Sequence, residues 1–157
     1  MKSIAANILG SRTDAEDAVQ EAMLKVYRGA SSFRGGASVS TWLYRILLNT
    51  CYDHLRQSRR RANAEAPMPP EEIAAAAPKT GTPDHPLRLS IEKALGQLEA
   101  RERTAFLLCE VEGFSHREAG EILDVGEGAS RALLFRARRH LQKALVASGA
   151  FSPAGAP

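Results

Sequence analysis

Ser115-His116-Arg117-Glu118-Ala119-Gly120-Glu121-Ile122-Leu123-Asp124-Val125-Gly126-Glu127 is the stretch whose reading decides the fold. Serine followed three residues later by glutamate is a capping box, in which side chain and backbone amide bond each other reciprocally at the start of a helix. Ala119, Ile122 and Leu123 then point to one side, as the inward face of a short helix does. Asp124-Val125-Gly126 reads as a three-residue turn. A long helix follows to about Val146, with Leu134, Ala137, Leu141, Ala144 and Leu145 as its buried stripe. A short helix, a tight turn and a longer basic helix make a helix-turn-helix. In that geometry Glu127 to Arg131 enter the major groove of duplex DNA, and Phe135 and Arg136 follow one turn on. Arg138, Arg139 and Lys143 suit phosphates, and Arg117 at the head of the first helix belongs to the same group. Helical hairpins with a basic exposed face are common, so the pattern alone does not decide the function.

Two helices lead into this unit. Leu87 to Leu98 carries Ile91, Ala94, Leu95 and Leu98 on one face, and about Ala100 to Glu112 is largely apolar at Ala105, Phe106, Leu108 and Cys109. Gly113 stops the second of them. Further upstream, seven alanines and six prolines fill the 25 residues from 62 to 86, with Met68 and Ile73 the large apolar side chains there. Proline resists helix, and such a stretch cannot build a core, so it reads as a linker; Glu71 to Ala77 has at most a helical turn or two. The fold class is therefore all-α, with a helical bundle over 1–61, a linker over 62–86, a helix-turn-helix domain over 87–147 and a disordered tail over 148–157.

Charge is distributed unevenly along the 157 residues. The total is +3 and the pI about 9.1, but residues 31–61 carry six basic and one acidic side chain, and residues 127–157 five and one. The rest is neutral or acidic. Two basic blocks in two domains suggest a polyanion touched at two places, or else two solvated helix faces. No apolar run reaches membrane-spanning length, and the first residues do not resemble a signal peptide. Two cysteines, Cys51 and Cys109, are too few for a disulfide scaffold.

In the first domain Thr13-Asp14-Ala15-Glu16 reads as a second capping box, followed by a stripe of Ala15, Ala18, Val19, Ala22, Met23 and Val26. The opposite face carries Asp14, Asp17, Gln20, Glu21 and Lys25, acidic overall. After Gly29 comes a loop, Ser31-Ser32-Phe33-Arg34-Gly35-Gly36-Ala37-Ser38. Serine and glycine account for a loop, but not for phenylalanine and arginine at its tip. Ser38 or Ser40 caps the next helix, from Thr41 to about Arg60. It is apolar nearly all round at first, then presents Arg45, Asn49, Tyr52, Arg56 and Arg59 on one face. Arginine beside tyrosine and asparagine suits phosphate contact combined with base stacking or base-edge bonding. Asn49 could alternatively be a buried bond between helices, and the basic end a favourable helix C-terminus.

These motifs together resemble the extracytoplasmic-function (ECF) family of bacterial RNA polymerase sigma factors. The resemblance covers about residues 7–61 and 90–145. Asp14-Ala15-Glu16-Asp17-Ala18-Val19-Gln20-Glu21 is similar to the family's polymerase-clamp helix, which makes Asp14, Asp17, Gln20 and Glu21 the implied polymerase contacts. Phe33-Arg34-Gly35-Gly36, with Thr41-Trp42-Leu43-Tyr44-Arg45-Ile46 and Asn49, is similar to the segment that opens and reads the −10 element. Phe33, Arg34, Arg45, Asn49, Arg56 and Arg59 are implied there. Glu112-Gly113-Phe114-Ser115 through Arg136-Ala137-Arg138-Arg139 looks like the −35-reading unit, implying Arg117, Glu127, Arg131, Phe135, Arg136 and Arg139. The resemblance further implies a non-enzymatic cytoplasmic protein whose partners are core RNA polymerase, promoter DNA and an anti-sigma factor, often membrane-linked, with no cofactor and no small-molecule substrate. Two departures stand out. Only a turn or two precedes Ile8, where the family has a helical stretch. Ala132 and Leu133 stand where the family has serine and arginine, so fewer polar groups are expected to reach the groove.

Other classes fit less well. A stand-alone regulator needs only the second domain and would bind duplex DNA unaided. An enzyme needs a catalytic constellation, yet His54, His85, His116 and His140 are scattered and no phosphate loop follows a strand. Cys51 and His54 could share a metal, but two ligands do not complete a site.

Overall fold

The computed structural model describes residues 1–65 and 86–150. Helices there are α1 (Lys2–Leu9), α2 (Arg12–Gly29), α3 (Val39–Glu65), α4 (Pro86–Gly96), α5 (Ala100–Phe106), α6 (His116–Leu123) and α7 (Glu127–Ala147). A 3-10 turn at Ala30–Ser32 follows α2, and a π-helical stretch at Leu107–Val111 continues α5. The described residues contain no strand. The linker, Glu71 to Ala77 and the end of the tail fall largely outside them.

The N-terminal side of the first half differs from the sequence reading in two ways. α1 is a full helix whose Ile4, Ala5, Ile8 and Leu9 are buried. The cap of α2 is Ser11, whose hydroxyl accepts the Asp14 amide at 3.3 Å, rather than Thr13. Thr13 is exposed, already inside the helix. Both residues are good caps, and Gly10 in the left-handed region (φ 69°) ends α1 one residue earlier, which sets the register. Ala15, Ala18 and Ala22 are buried as the stripe requires, but Met23 is 39% exposed. Ser38 caps α3, its hydroxyl accepting the Thr41 amide at 3.1 Å.

The core does not stop at the domain boundary. Ile4 and Ile8 of α1, Leu47, Leu48 and Cys51 of α3, Leu108, and Ile122 and Leu123 of α6 belong to one apolar cluster. A smaller one joins Leu95 and Leu98 to Ala137 and Leu141 of α7. The two halves thus meet along α3 and α6. Tyr44 of α3 packs edge-on against Phe114 at 4.9 Å between centroids and donates its hydroxyl to the Glu112 carboxylate. Burial, then that carboxylate, push the Tyr44 phenol above its ordinary pKa.

Three consecutive polar residues of α5 are buried, and each reaches a different neighbour. Glu102 turns to α7, accepting from Arg136 and His140. Thr104 donates to its own helix at the Ala100 carbonyl, 2.8 Å, leaving its oxygen to accept from Tyr52 of α3 at 3.1 Å. Arg103, 2% exposed, donates to the carbonyls of Leu95 (2.7 Å), Gly96 (2.9 Å) and Leu98 (3.1 Å), and to Asn7 in α1 (3.2 Å). Its guanidinium therefore sits where α1 and α4 end. Free carbonyls and the negative end of the helix dipole favour a cation there. Burial lowers the Arg103 pKa, yet an arginine remains charged in a protein.

Replacing Arg103 by Met should fill the volume but leave four carbonyls without their donor. A loss of roughly 2–4 kcal/mol is expected, on the scale of one to two abandoned buried polar groups. Urea unfolding measures it, and a loss below about 1 kcal/mol would mean that Arg103 is not a stabilising hub.

Candidate nucleic-acid and polymerase interfaces

α2 presents a stripe to solvent. Asp14, Asp17 and Gln20 are exposed, and the stripe runs on through Leu24 (55% exposed) and Tyr27 (84%). The sequence reading missed this apolar end, although 17, 20, 24 and 27 keep the three–four spacing that would have found it. Glu21 differs from the other three acidic-face residues. Its carboxylate takes Lys25 Nζ at 2.8 Å and His54 Nε2 at 2.9 Å, so it braces α2 against α3. The hydrogen bond from Lys25, then that from His54, hold its pKa below the usual carboxylate range. Lys25 also reaches Thr50 Oγ1 at 3.1 Å. The Cys51 thiol, one turn before His54, lies in the core with its pKa pushed up to about 12 by burial. Among the described residues no group of three or more histidine, cysteine, aspartate or glutamate side chains is placed to hold a metal ion.

At the second face, Phe33 leans on Trp42 of α3, ring centroids 5.1 Å apart. Arg34 is exposed beside it, and Gly35 takes φ +71°, a conformation that favours glycine. Arg45, Asn49, Arg56 and Arg59 are all exposed along α3, so Asn49 is not a buried bond between helices. Arg56 pairs with Asp53; Arg34, Arg45 and Arg59 have no ion pair among the described residues. Tyr52 departs from the expected face. It turns to α5 and Thr104, because α3 meets the second half on that side. The loop, Trp42 and Arg45 line a cleft of about 690 Å³, closed opposite by Gly120, Glu121 and residues 124–126.

The third face is the helix-turn-helix. The Ser115–Glu118 capping box is formed, with the Ser115 amide donating to Glu118 Oε2 at 3.0 Å and the Glu118 amide to Ser115 Oγ at 3.3 Å. The hydrogen bond from the Ser115 side chain, then that from its amide, hold the Glu118 pKa low. Gly120 packs so tightly under the turn that a Cβ there would lie 2.8 Å from the Val125 carbonyl oxygen. On α7, Glu127, Arg131, Phe135 (66% exposed), Arg136 and Arg139 face solvent, as does Arg117 on α6. Arg117 and Arg131 each hold a glutamate within their own helix, Glu121 and Glu127. Exposed pairs of this kind are worth about 0–1 kcal/mol and exchange readily for phosphate. Arg139 has no ion pair among the described residues. Leu133, expected at the groove, is 6% exposed and lies in the core together with buried Ser130. At this position the groove loses no contact, because the side chain points inward.

A helical protein with a helix-turn-helix, a second cationic face and an exposed acidic helix stripe has the architecture of a promoter-recognition subunit. Comparison with known proteins agrees in both halves. The family model for Sigma-70 region 2 matches residues 1–61, and that for Sigma-70 region 4 matches residues 88–141. The ECF RNA polymerase sigma factor SigM of Mycobacterium tuberculosis is 38% identical over 139 residues, 87% of this chain and 68% of SigM. The ECF RNA polymerase sigma-E factor of Escherichia coli is 34% identical over 134 residues, 80% of this chain and 70% of that protein. Among solved structures, the sigma factor RpoE of Bartonella quintana, in complex with the anti-sigma factor NepR, superposes with TM-score 0.75 at 29% identity. It covers 92% of this chain and 88% of its own. CnrH, in complex with the cytosolic domain of CnrY, shares the fold with TM-score 0.64 at 24% identity, over 93% and 80%. The chain belongs to the ECF family of RNA polymerase sigma factors. No described helix is long and apolar enough to cross a membrane.

Two glycines separate packing from propensity. Gly120→Ala should lower stability by roughly 1–3 kcal/mol through its clash with backbone. Gly128→Ala, with open space around it, should be neutral or raise stability by up to about 1 kcal/mol. Thermal unfolding of the two variants checks this; equal effects would contradict the tight turn.

Proposed function

We propose a division of labour among the three faces. The stripe of Asp14, Asp17, Gln20, Leu24 and Tyr27 docks on core RNA polymerase, while Glu21 holds that helix in place as well as adding charge. The Phe33–Arg34 loop takes an unstacked base of the −10 strand, as Arg45, Asn49, Arg56 and Arg59 follow its phosphates. α7 reads the −35 duplex with Arg131, Phe135 and Arg136, supported by Glu127, and Arg117 and Arg139 add phosphate contacts. The observation that carries this reading is the separation of exposed cations into two groups on different halves, one beside an aromatic loop and one on a helix-turn-helix.

The two halves act as separate modules at a promoter, over residues 1–61 and 87–147, joined by 62–86. Elements centred at −10 and −35 lie 25 base pairs apart, about 85 Å at ~3.4 Å per pair. The cleft between loop and helix-turn-helix is far smaller, so engagement of both elements requires the halves to part. Twenty residues separate Glu65 from Pro86, a reach of about 70 Å at full extension, which with the size of the halves is sufficient. An anti-sigma factor holds the closed form. The supporting observation is that RpoE in complex with NepR superposes on both halves of this chain at once. The protein acts in the cytoplasm, where core polymerase is, and has no catalytic role.

Asp17→Lys should weaken co-purification with core polymerase without changing helical content. Phe33→Ala with Arg34→Ala should leave promoter binding nearly intact but suppress melting, read by permanganate reactivity of unpaired thymines. Arg131→Ala should cost roughly 1–3 kcal/mol in promoter binding if its contact is bidentate. Normal melting by the loop variant together with lost duplex binding would overturn the assignment.

A further inference from the structure

Among the ion pairs of α6 and α7, one is built differently from the others. Arg117, Arg131 and Arg138 pair with glutamates that are a third or more exposed, whereas the Glu102 side chain is 4% exposed. Glu102 Oε1 accepts Arg136 Nε at 2.9 Å, and Oε2 accepts His140 Nδ1 at 2.8 Å. With one donor on each oxygen the carboxylate cannot rotate, and Arg103 next to it fixes α5 to four carbonyls. Arg136 is engaged through Nε, and its side chain remains 51% exposed. The two terminal amino groups, with four N–H donors in one plane, make no hydrogen bond among the described residues.

We propose that Glu102 is a positioning residue for DNA recognition: it fixes the plane of the Arg136 guanidinium so that its terminal amino groups meet the −35 duplex in one orientation. This rests on reading α7 as the −35 helix. A guanidinium already oriented loses less rotamer freedom on binding, and the fork geometry of arginine makes orientation matter more than charge. The buried carboxylate does not exchange for phosphate as Glu127 does, because release of Arg136 would leave Oε1 without its donor in the interior and His140 alone to balance the charge. Arg136 therefore bonds DNA while still held by Glu102, and Arg131 by releasing Glu127.

The sign of one substitution separates positioning from bulk electrostatics. Glu102→Gln removes a negative charge near DNA, so charge alone would tighten binding or leave it unchanged. Positioning predicts the reverse. The probe is a duplex promoter fragment from which this protein and core polymerase initiate transcription in vitro, bound by the reconstituted holoenzyme. Glu102→Gln should weaken binding three- to tenfold, Arg136→Ala by at least as much, and the double variant no further than Arg136→Ala alone. Arg136→Lys, which keeps the charge and loses the fork, should also weaken binding if Glu102→Gln impairs folding. If Arg136→Ala weakens binding while Glu102→Gln and Arg136→Lys do not, the positioning role is overturned and the −35 reading stands. If Arg136→Ala has no effect, the part of the −35 reading that includes Arg136 fails as well.

Discussion

Arg103 holds the architecture together. A guanidinium 2% exposed, with no carboxylate against it among the described residues, would be prohibitively costly were it not bonded to four carbonyls at the ends of two helices. Those bonds tie α1 of the first half to α4 and α5 of the second. The two residues beside it extend the same arrangement. Successive positions on a helix point about 100° apart, so Glu102 reaches α7 while Thr104 reaches Tyr52 on α3. A single turn of α5 thus sets the places of α7, α3 and α1.

That geometry has a functional side. The loop with Phe33 and the turn at Asp124–Gly126 line one cleft, and Tyr44 with Glu112 and Phe114 closes the seam beside it. The two halves pack together because polar and aromatic contacts supplement a shared apolar core. Under the proposed division of labour, promoter engagement exchanges that seam for DNA and polymerase contacts, so the strength of the seam sets how much partner affinity is spent on opening.

Much of this was legible in the sequence. The Ser115–Glu118 box, the Asp124 turn and the stripe of α7 determine the helix-turn-helix, because caps and periodicity are local signals. The bundle of the first half, and the exposed placement of Arg45, Arg56 and Arg59 on one face of α3, also followed from spacing, whereas spacing alone leaves Asn49 open between that face and a buried bond. What escaped is tertiary. Arg101-Glu102-Arg103 carries no local signal for burial, and only the elements converging on it make Arg103 and Glu102 interior residues. Tyr52 is expected on the basic face of its helix and Leu133 at the groove, and packing against α5 and against α6, respectively, draws them inward. Ser11 displaced Thr13 as a cap because the end of α1, one residue earlier, set the register.

On the proposed reading, this chain directs core polymerase to promoters by using its two halves on two DNA elements. Run-off transcription with purified core polymerase, the full chain and a pool of promoter fragments tests it most directly. Transcripts should arise only when chain and core are both present, and from fragments sharing one −10 sequence and one −35 sequence. Tight, specific binding of duplex DNA by the chain alone, with no transcript from any fragment when core is added, would contradict it.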